Sequence, residues 1–415
     1  MPLVLSTLCV AASVALGQLE SPASHALPLS VAFVGWGAVV ACGLGITHTS
    51  WAPGSAAPSR GPHEGRLRWA PLLVVLAALA VRLPLLRWPA ELSDDVFRYV
   101  WEGNVWRSHF SPFAHAPDDE ALRPLRDATW AQVNHRSVSS IYPPVAQGWF
   151  WLLSPFGPLG FRVAATAADA LTAGLLWRHR ESAGWAWALL PLPVIESAAN
   201  GHLEALGCLL VVLALSGSRL AALGAALVKF LPAVLLAREP PRRLLAWAAL
   251  AALTFIPLAG PGLLRGLATY EEHWSFNGSA WPLLAWLLDD GVLARRVLLV
   301  LGAAVVARAV WTERSPARRL LITAGAFVLL SPTVHPWYAL WALLPALWLG
   351  SRAFVVLAVL APLAYVVLGS ESMHGTWHES TLTRVVIWVP VYVVLVVDAW
   401  RGAFRAGPGG YSKQP

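Results

Sequence analysis

The chain has 415 residues, 57% hydrophobic and 13% charged, with a mean hydropathy of +0.58. That is too apolar for a soluble globular domain and places it among polytopic membrane proteins. The net charge of +7 fits either nucleic acid or an anionic membrane surface; its distribution in short loops favours the membrane, so no nucleic-acid partner is expected.

A span takes roughly 17–25 apolar residues, fewer where a helix is short or enclosed. Such runs lie near 2–17, 28–46, 69–88, 142–157, 160–177, 184–199, 201–216, 219–236, 244–260, 293–311, 318–333, 338–350, 353–369 and 384–400. The expected fold is therefore an all-α, polytopic bundle of about 12–14 spans forming one integral membrane domain over 1–415. The first run resembles a signal h-region but lacks a basic n-region, and is read as a retained span. Cys9, Cys42 and Cys208 sit inside apolar runs and suggest neither a disulfide framework nor a zinc site. The 23 Trp suit the two interfaces of a bilayer.

Basic residues gather at Arg60, Arg66 and Arg68, at Arg238, Arg242 and Arg243, at Arg308, Arg314, Arg318 and Arg319, and at Arg352, Arg401, Arg405 and Lys413. The positive-inside rule puts all of these, with both termini, on the inner side. Loops 89–141, 261–292 and 370–383 then face out. The group Arg178, His179 and Arg180 conflicts with this count, because it too falls outside.

Loop 89–141 is expected to carry interfacial helices. In 95–106, Val96, Phe97, Val100, Trp101 and Val105 form an apolar stripe at helical spacing, as in a helix lying flat on the membrane surface. Just before it stand Ser93, Asp94 and Asp95. Ser93 can cap the helix, first-turn acids suit its dipole, and Asp94 and Arg98 at i, i+4 can pair. Spacing alone thus favours a solvated cap. The alternative is a general base, partly desolvated by aromatic neighbours, that takes a proton from an incoming hydroxyl. Farther on, Asp118, Asp119 and Glu120 suit another helix start. His109, His115 and His135 lack metal-ligand spacing.

Polar groups interrupt later runs. Glu196, Asn200, His202 and Glu204 stand in "ESAANGHLEAL", where Asn200-Gly201 also reads as a turn between spans. Lys229, one of two lysines, lies in an apolar run and either binds a phosphate or snorkels to an interface. The segments "YEEHWSFNGSAWP", "SPTVHPWYALW" and "ESMHGTWHES" add Glu271, Glu272, His273, Asn277, His335, Tyr338, His374 and His378 to the outer side. Asn277-Gly278-Ser279 matches a glycosylation pattern.

"SDDVFRYVWEGNV", "SPFAHAPDDEALRPLRD", "NHRSVSSIYPPVAQ", "NGHLEAL" and "LVKFLPAVLL" together resemble the membrane glycosyltransferases of the GT-C fold. The series is most similar to glycosyltransferase family 87 and related polyprenol-phosphate-mannose-dependent mannosyltransferases. The resemblance runs from about Leu92 to Tyr338. It implies an inverting transfer from a polyprenyl-phosphate sugar donor to a glycan or lipid hydroxyl on the outer face. Asp94 or Asp95 would be the base. Arg98, Tyr99, Glu102, His135, Tyr142, His202, Glu204, Asn277, His335 and Tyr338 become candidate substrate contacts. Lys229 and Arg384, with His335, become candidates for the lipid phosphate. Glu204 stands where the family tends to carry Asp, and residues 109–113 depart from its usual loop motif. A divalent cation, Mg or Mn, is permitted by the paired acids but not demanded. The span count puts 200–204 near the inner face, whereas the resemblance wants them by the outer site; an inner Arg178–Arg180 would resolve this. Rival readings are a transporter or flippase of lipid-linked saccharides, a polysaccharide polymerase or ligase, and a structural membrane protein. The Ala- and Arg-rich composition suggests a bacterium with a GC-rich genome, hence an inner-membrane protein whose site faces the periplasm.

Overall fold

The computed structural model describes residues 1–19, 25–46, 69–89, 91–258, 266, 269, 274–369 and 379–405. Arg60, Arg66, Arg68, Glu271, Glu272, His273, His374, His378 and Lys413 lie outside the described residues. Within them the expected all-α class holds, and the structure has no strand. In chain order the helices are α1 (Pro2–Leu16), α2 (Ala26–Gly43), α3 (Ala70–Arg82), α4 (Asp95–Arg107), α5 (Pro144–Leu153), α6 (Gly157–His179), α7 (Glu181–Leu189), α8 (Pro191–Val194) and α9 (Glu204–Leu215). They continue as α10 (Arg219–Ala226), α11 (Pro241–Phe255), α12 (Ala280–Leu288), α13 (Gly291–Thr312), α14 (Pro316–Leu330), α15 (Ala339–Leu349), α16 (Ala353–Leu360) and α17 (Thr381–Arg405).

Three stretches, Ala26–Gly43, Pro144–His179 and Thr381–Arg401, are long and apolar enough to cross a membrane by length and composition. Pro2–Leu16, Ala70–Leu85, Glu204–Leu215, Pro336–Leu349 and Ala353–Gly369 are apolar but shorter.

Local chemistry sets many of the boundaries. Proline stands in the first turn of α1, α3, α5, α6, α11 and α14, where its missing N–H is not needed. Asp290 caps α13 by accepting from the N–H groups of Val292 and Leu293, both at 2.9 Å. Gly350, at φ 77°, ends α15 in a left-handed turn. Gly103 lets α4 touch α5, since a Cβ there would lie 2.3 Å from the Phe150 carbonyl oxygen.

Contacts define two ends of the bundle. At one end Arg162, near the start of α6, donates to the carbonyls of Leu86 and Trp88. Gly201 abuts Arg162, and His202 meets Ser93 at 2.9 Å. At the opposite end His179 stacks on Trp348 at 3.6 Å, and Arg352 pairs with Asp398. There, too, Arg238 reaches the carbonyls of Val310 and Trp311, and Arg219 pairs with Glu239 at 2.7 Å. The second end is the basic one.

This placement revises the expected spans. The run 142–157 is not a full crossing: α5 is short, and the chain turns at Gly157 (φ 60°) between Pro155 and Pro158. One crossing fewer carries Arg178, His179 and Arg180 to the basic end, and 200–204 to the end that holds Ser93. The run 219–236 is likewise a hairpin. α10 ends at Ala226, the chain bends through Leu227–Phe230, and Leu231–Leu235 return as a 3-10 turn. Pro232 prevents α10 from continuing, because it lacks an N–H and its ring clashes with the turn before it. The Arg219–Glu239 pair closes the foot of the hairpin, and Lys229 sits at its tip. Finally, α4 does not lie open on a surface. Its polar side chains Arg98 and Glu102 are buried along with its apolar stripe.

A buried ion pair ties the first helices to the next ones. Arg82 and Asp169 are 0% and 1% exposed and meet at 2.8 Å. Arg82 also donates to the Ala188 carbonyl at 2.9 Å and to Ser197 Oγ at 3.1 Å, while Trp187 donates to Asp169 at 2.8 Å. Removing one partner of such a pair strands a buried charge and costs about 3–5 kcal/mol. Asp169→Ala is therefore expected to lower the unfolding temperature in detergent sharply. The apolar double replacement Arg82→Met with Asp169→Leu should recover most of that loss.

Candidate active site

Ser93, Asp94 and Asp95 open α4 at the mouth of a cleft of about 430 Å³. Asp94 is exposed and Asp95 half-buried. The two carboxylates share one donor: Asn134 Nδ2 donates to Asp94 Oδ1 at 2.7 Å and to Asp95 Oδ1 at 3.1 Å. Ser93 Oγ accepts the Asp95 N–H at 3.3 Å, which agrees with the capping expected of that serine.

Asn134 is held in place by a buried hub. Arg98 does not pair with Asp94, as the i, i+4 spacing suggested. It turns instead to Glu102, Nε to Oε1 at 2.9 Å, and donates to the carbonyls of Asn134, His135 and Val138. Glu102, 2% exposed, accepts further bonds from Ser140 (2.6 Å) and Gln147 (2.7 Å). The loop after residue 133 is thereby fastened to α4. Tyr99 lies behind it, stacked on Phe150 at 4.5 Å and edge-on to Tyr142 at 5.4 Å.

Histidines and aromatic rings form the facing wall. His135, held in a left-handed conformation (φ 44°), meets Trp274 edge-on at 4.5 Å. His335 lies parallel to Trp337 at 4.5 Å and close to Phe276 and Tyr338. Burial, reinforced by Arg98, lowers the imidazole pKa of His135. Burial pushes His335 down from 6.5 to about 4, against the pull of Asp95. Both rings are neutral near pH 7 and offer hydrogen bonds without charge.

The cleft reaches down to the hairpin tip. Lys229 pairs with Glu204, which is fully buried, and its ammonium lies 4.5 Å from the centre of the Tyr338 ring. A broken backbone within an apolar bundle is tolerated where it lines a polar cavity, as here.

Of the residues singled out in the sequence, Asp94, Asp95, Arg98, His135, Tyr142, Lys229, His335 and Tyr338 line this one cleft. Tyr99, Glu102, His202, Glu204, Asn277 and Arg384 do not. Asn277 is 4% exposed and donates to the Val334 carbonyl at 3.2 Å, so it anchors a turn and is no glycosylation acceptor. Arg384 sits 3.8 Å from Glu379. Asn134 and Tyr365 were missed. Asn134 stands next to His135 in a polar loop, but nothing in its spacing ties it to residues forty positions earlier. Tyr365 lies within an apolar run and gave no signal.

Asp94 and Asp95 are the donors that would hold a divalent cation. As arranged, however, the Asn134 amide donates to both of them, in the place a bridging ion would take. The donor set does not fit such an ion unless that amide turns its oxygen inward.

Residues 291–400, from α13 into α17, match the family model described as the MptB C-terminal domain. That family comprises mannosyltransferases of the GT-C type that depend on polyprenol-phosphate-mannose. The match takes in His335, Tyr338 and Tyr365 of the cleft wall and does not extend to the α4 acids. No curated protein and no solved structure matches the chain.

The depressed titration of His335 has a measurable consequence. Between about 4 and 6.5 the unfolded chain binds a proton that the folded chain refuses. Stability from this group is therefore complete above pH 6.5 and is lost as pH falls toward 4. The ring's opening to the cleft limits the size of the effect, not its sign. His335→Asn is expected to flatten the fall of unfolding temperature across that window, as read by thermal scans in detergent.

Proposed function

We propose that this protein is a membrane glycosyltransferase that moves a sugar, mannose first among candidates, from a polyprenyl-phosphate donor to a glycan or lipid hydroxyl. The observation that carries this reading is the cleft itself. It gathers the Asn134-clamped acid pair, neutral histidines, aromatic rings and one lysine at the end opposite the basic cluster. The apolar outer faces of α13 and α17, with Leu299, Val300, Val389 and Val396 exposed, suit lipid contact. With the basic end inside, the cleft opens outward, to the periplasm if the host is a bacterium.

In this reading the donor keeps its tail in the bilayer and presents its phosphosugar to the cleft. An acid of the Asp94–Asp95 pair takes the proton of the acceptor hydroxyl, and that oxygen attacks the anomeric carbon opposite the phosphate. The bond between that carbon and the phosphate oxygen breaks, so polyprenyl phosphate leaves and the anomeric configuration inverts. Lys229 neutralises the departing phosphate. Sugar hydroxyls meet His135, His335 and Tyr142, and the rings of Trp274 and Tyr338 offer apolar faces.

One observation favours a second reading. Broken helices meet at Lys229 and Glu204 beneath the cleft, and carriers of lipid-linked saccharides also bind at broken helices. Transfer from radiolabelled polyprenyl-phosphate-mannose to a mixed acceptor pool separates the two. The glycosyltransferase reading expects transfer by wild type and a loss of at least ~100-fold in Asp94→Asn or Asp95→Asn, the scale of a missing general base. Lys229→Met should raise KM for the donor. Movement of the lipid-linked sugar across vesicles, with no transfer to any acceptor, would favour the carrier.

A further inference from the structure

Behind the acid pair runs a chain of buried polar groups that meets the cleft only through Ser93 and Tyr365. It starts in the π-helical turn Ile195–Ala199. That turn packs an extra residue into the helix and folds the chain back, so that the His202 N–H donates to the Glu196 carbonyl at 2.8 Å. Gly201, at φ 70°, makes the return possible.

The side chains then line up. Glu196 Oε2 lies 3.0 Å from His202 Nδ1. The contact is off the ring N–H axis, so the carboxylate faces the ring nitrogen without an aligned hydrogen bond. Tyr365 donates to Glu196 Oε1 at 2.6 Å, and Asn200 donates to Oε2 at 2.8 Å. On the other side of the imidazole, Nε2 meets Ser93 Oγ at 2.9 Å. With a carboxylate facing Nδ1, the proton of a neutral ring belongs on Nδ1, and Nε2 accepts from the Ser93 hydroxyl. Ser93 Oγ in turn accepts the Asp95 N–H. Glu196 and His202 are 1% and 0% exposed. A carboxylate so deeply enclosed in an apolar bundle is costly and marks function more often than packing.

We propose that Glu196, His202 and Ser93 are positioning residues that fix the first turn of α4, and with it the direction of the Asp95 carboxylate. This rests on the glycosyltransferase reading for its chemistry. Asn134 holds the two carboxylates from the loop side, while the chain holds their backbone from the bundle side. His202 is thereby a brace behind the acids and not a substrate contact. Its ring is pinned further by the edge of Trp337 at 4.2 Å. The other titratable groups around it are Asp95, Glu204 and His335.

The test uses the purified full chain and the variants Ser93→Ala, Ser93→Thr, His202→Gln and Glu196→Gln. A misplacement of about 1 Å at a reacting group costs up to ~100-fold in rate. Ser93→Ala and His202→Gln are expected to lose about tenfold or more in kcat, with KM for the donor nearly unchanged. Their acid limb in the pH profile of kcat/KM should move by about half a unit or more, because the surroundings of Asp95 change. Ser93→Thr, which keeps the hydroxyl, should restore kcat to within about threefold of wild type. Damage to the fold alone would lower the rate at every pH and leave the limb where it was. Wild-type kcat and pH profile in Ser93→Ala and His202→Gln would overturn the proposal. Hydrogen exchange of the 93–107 peptide judges it independently of activity. Should wild type transfer no sugar at all, the functional reading fails, yet faster exchange at the start of α4 in Ser93→Ala still supports the brace. Unchanged exchange there overturns it.

Discussion

The site depends on one buried carboxylate. Glu102 lies inside an apolar bundle, where a lone charge would be expelled or neutralised. It is kept by Arg98, Ser140 and Gln147, and Arg98 spends its remaining donors on three carbonyls of the 134–138 loop. The loop cannot lift without stranding both charges. Because the loop carries Asn134 and His135, the same constraint that satisfies Glu102 sets the geometry of the cleft mouth.

The same rule explains the interior of the molecule. The charged groups named in the apolar region come with partners: Arg82 with Asp169, Glu196 with Tyr365, Asn200 and His202, and Glu204 with Lys229. At two breaks in the helices, the 195–203 turn and the 227–230 bend, the loosened backbone lies beside this polar network or the cleft. The breaks and the polar residues are therefore one feature. They put Lys229, paired with Glu204, at the floor of the cleft and the acids at its mouth.

Composition and periodicity were enough to read an all-helical, apolar chain with an acid-rich early loop, whereas the resemblance to GT-C glycosyltransferases, and not spacing, drew Asp94, Asp95, His135, Lys229 and His335 together as site candidates. Residues of unusual chemistry stand out against an apolar background, and an acid pair opening a helix is a local pattern. The same local logic misled elsewhere. The i, i+4 spacing of Asp94 and Arg98 is real, but Arg98 has a better partner one turn on the other way. Hydropathy could not tell a short helix or a hairpin from a crossing, because a window counts apolar residues and does not see that Gly157 or Pro232 turns the chain back. That error displaced Arg178–Arg180 and 200–204 to the wrong ends.

The sequence by itself thus determined the class of the chain and the chemistry at hand, since both follow from residue type and near spacing. Tertiary structure alone decided which of those residues meet. Asn134 reaches two acids about forty positions away, Tyr365 reaches Glu196 across 169 positions, and His202 stands behind the acids and off the cleft lining. Such pairings are set by which buried groups can satisfy one another once the helices pack, and no local pattern encodes that.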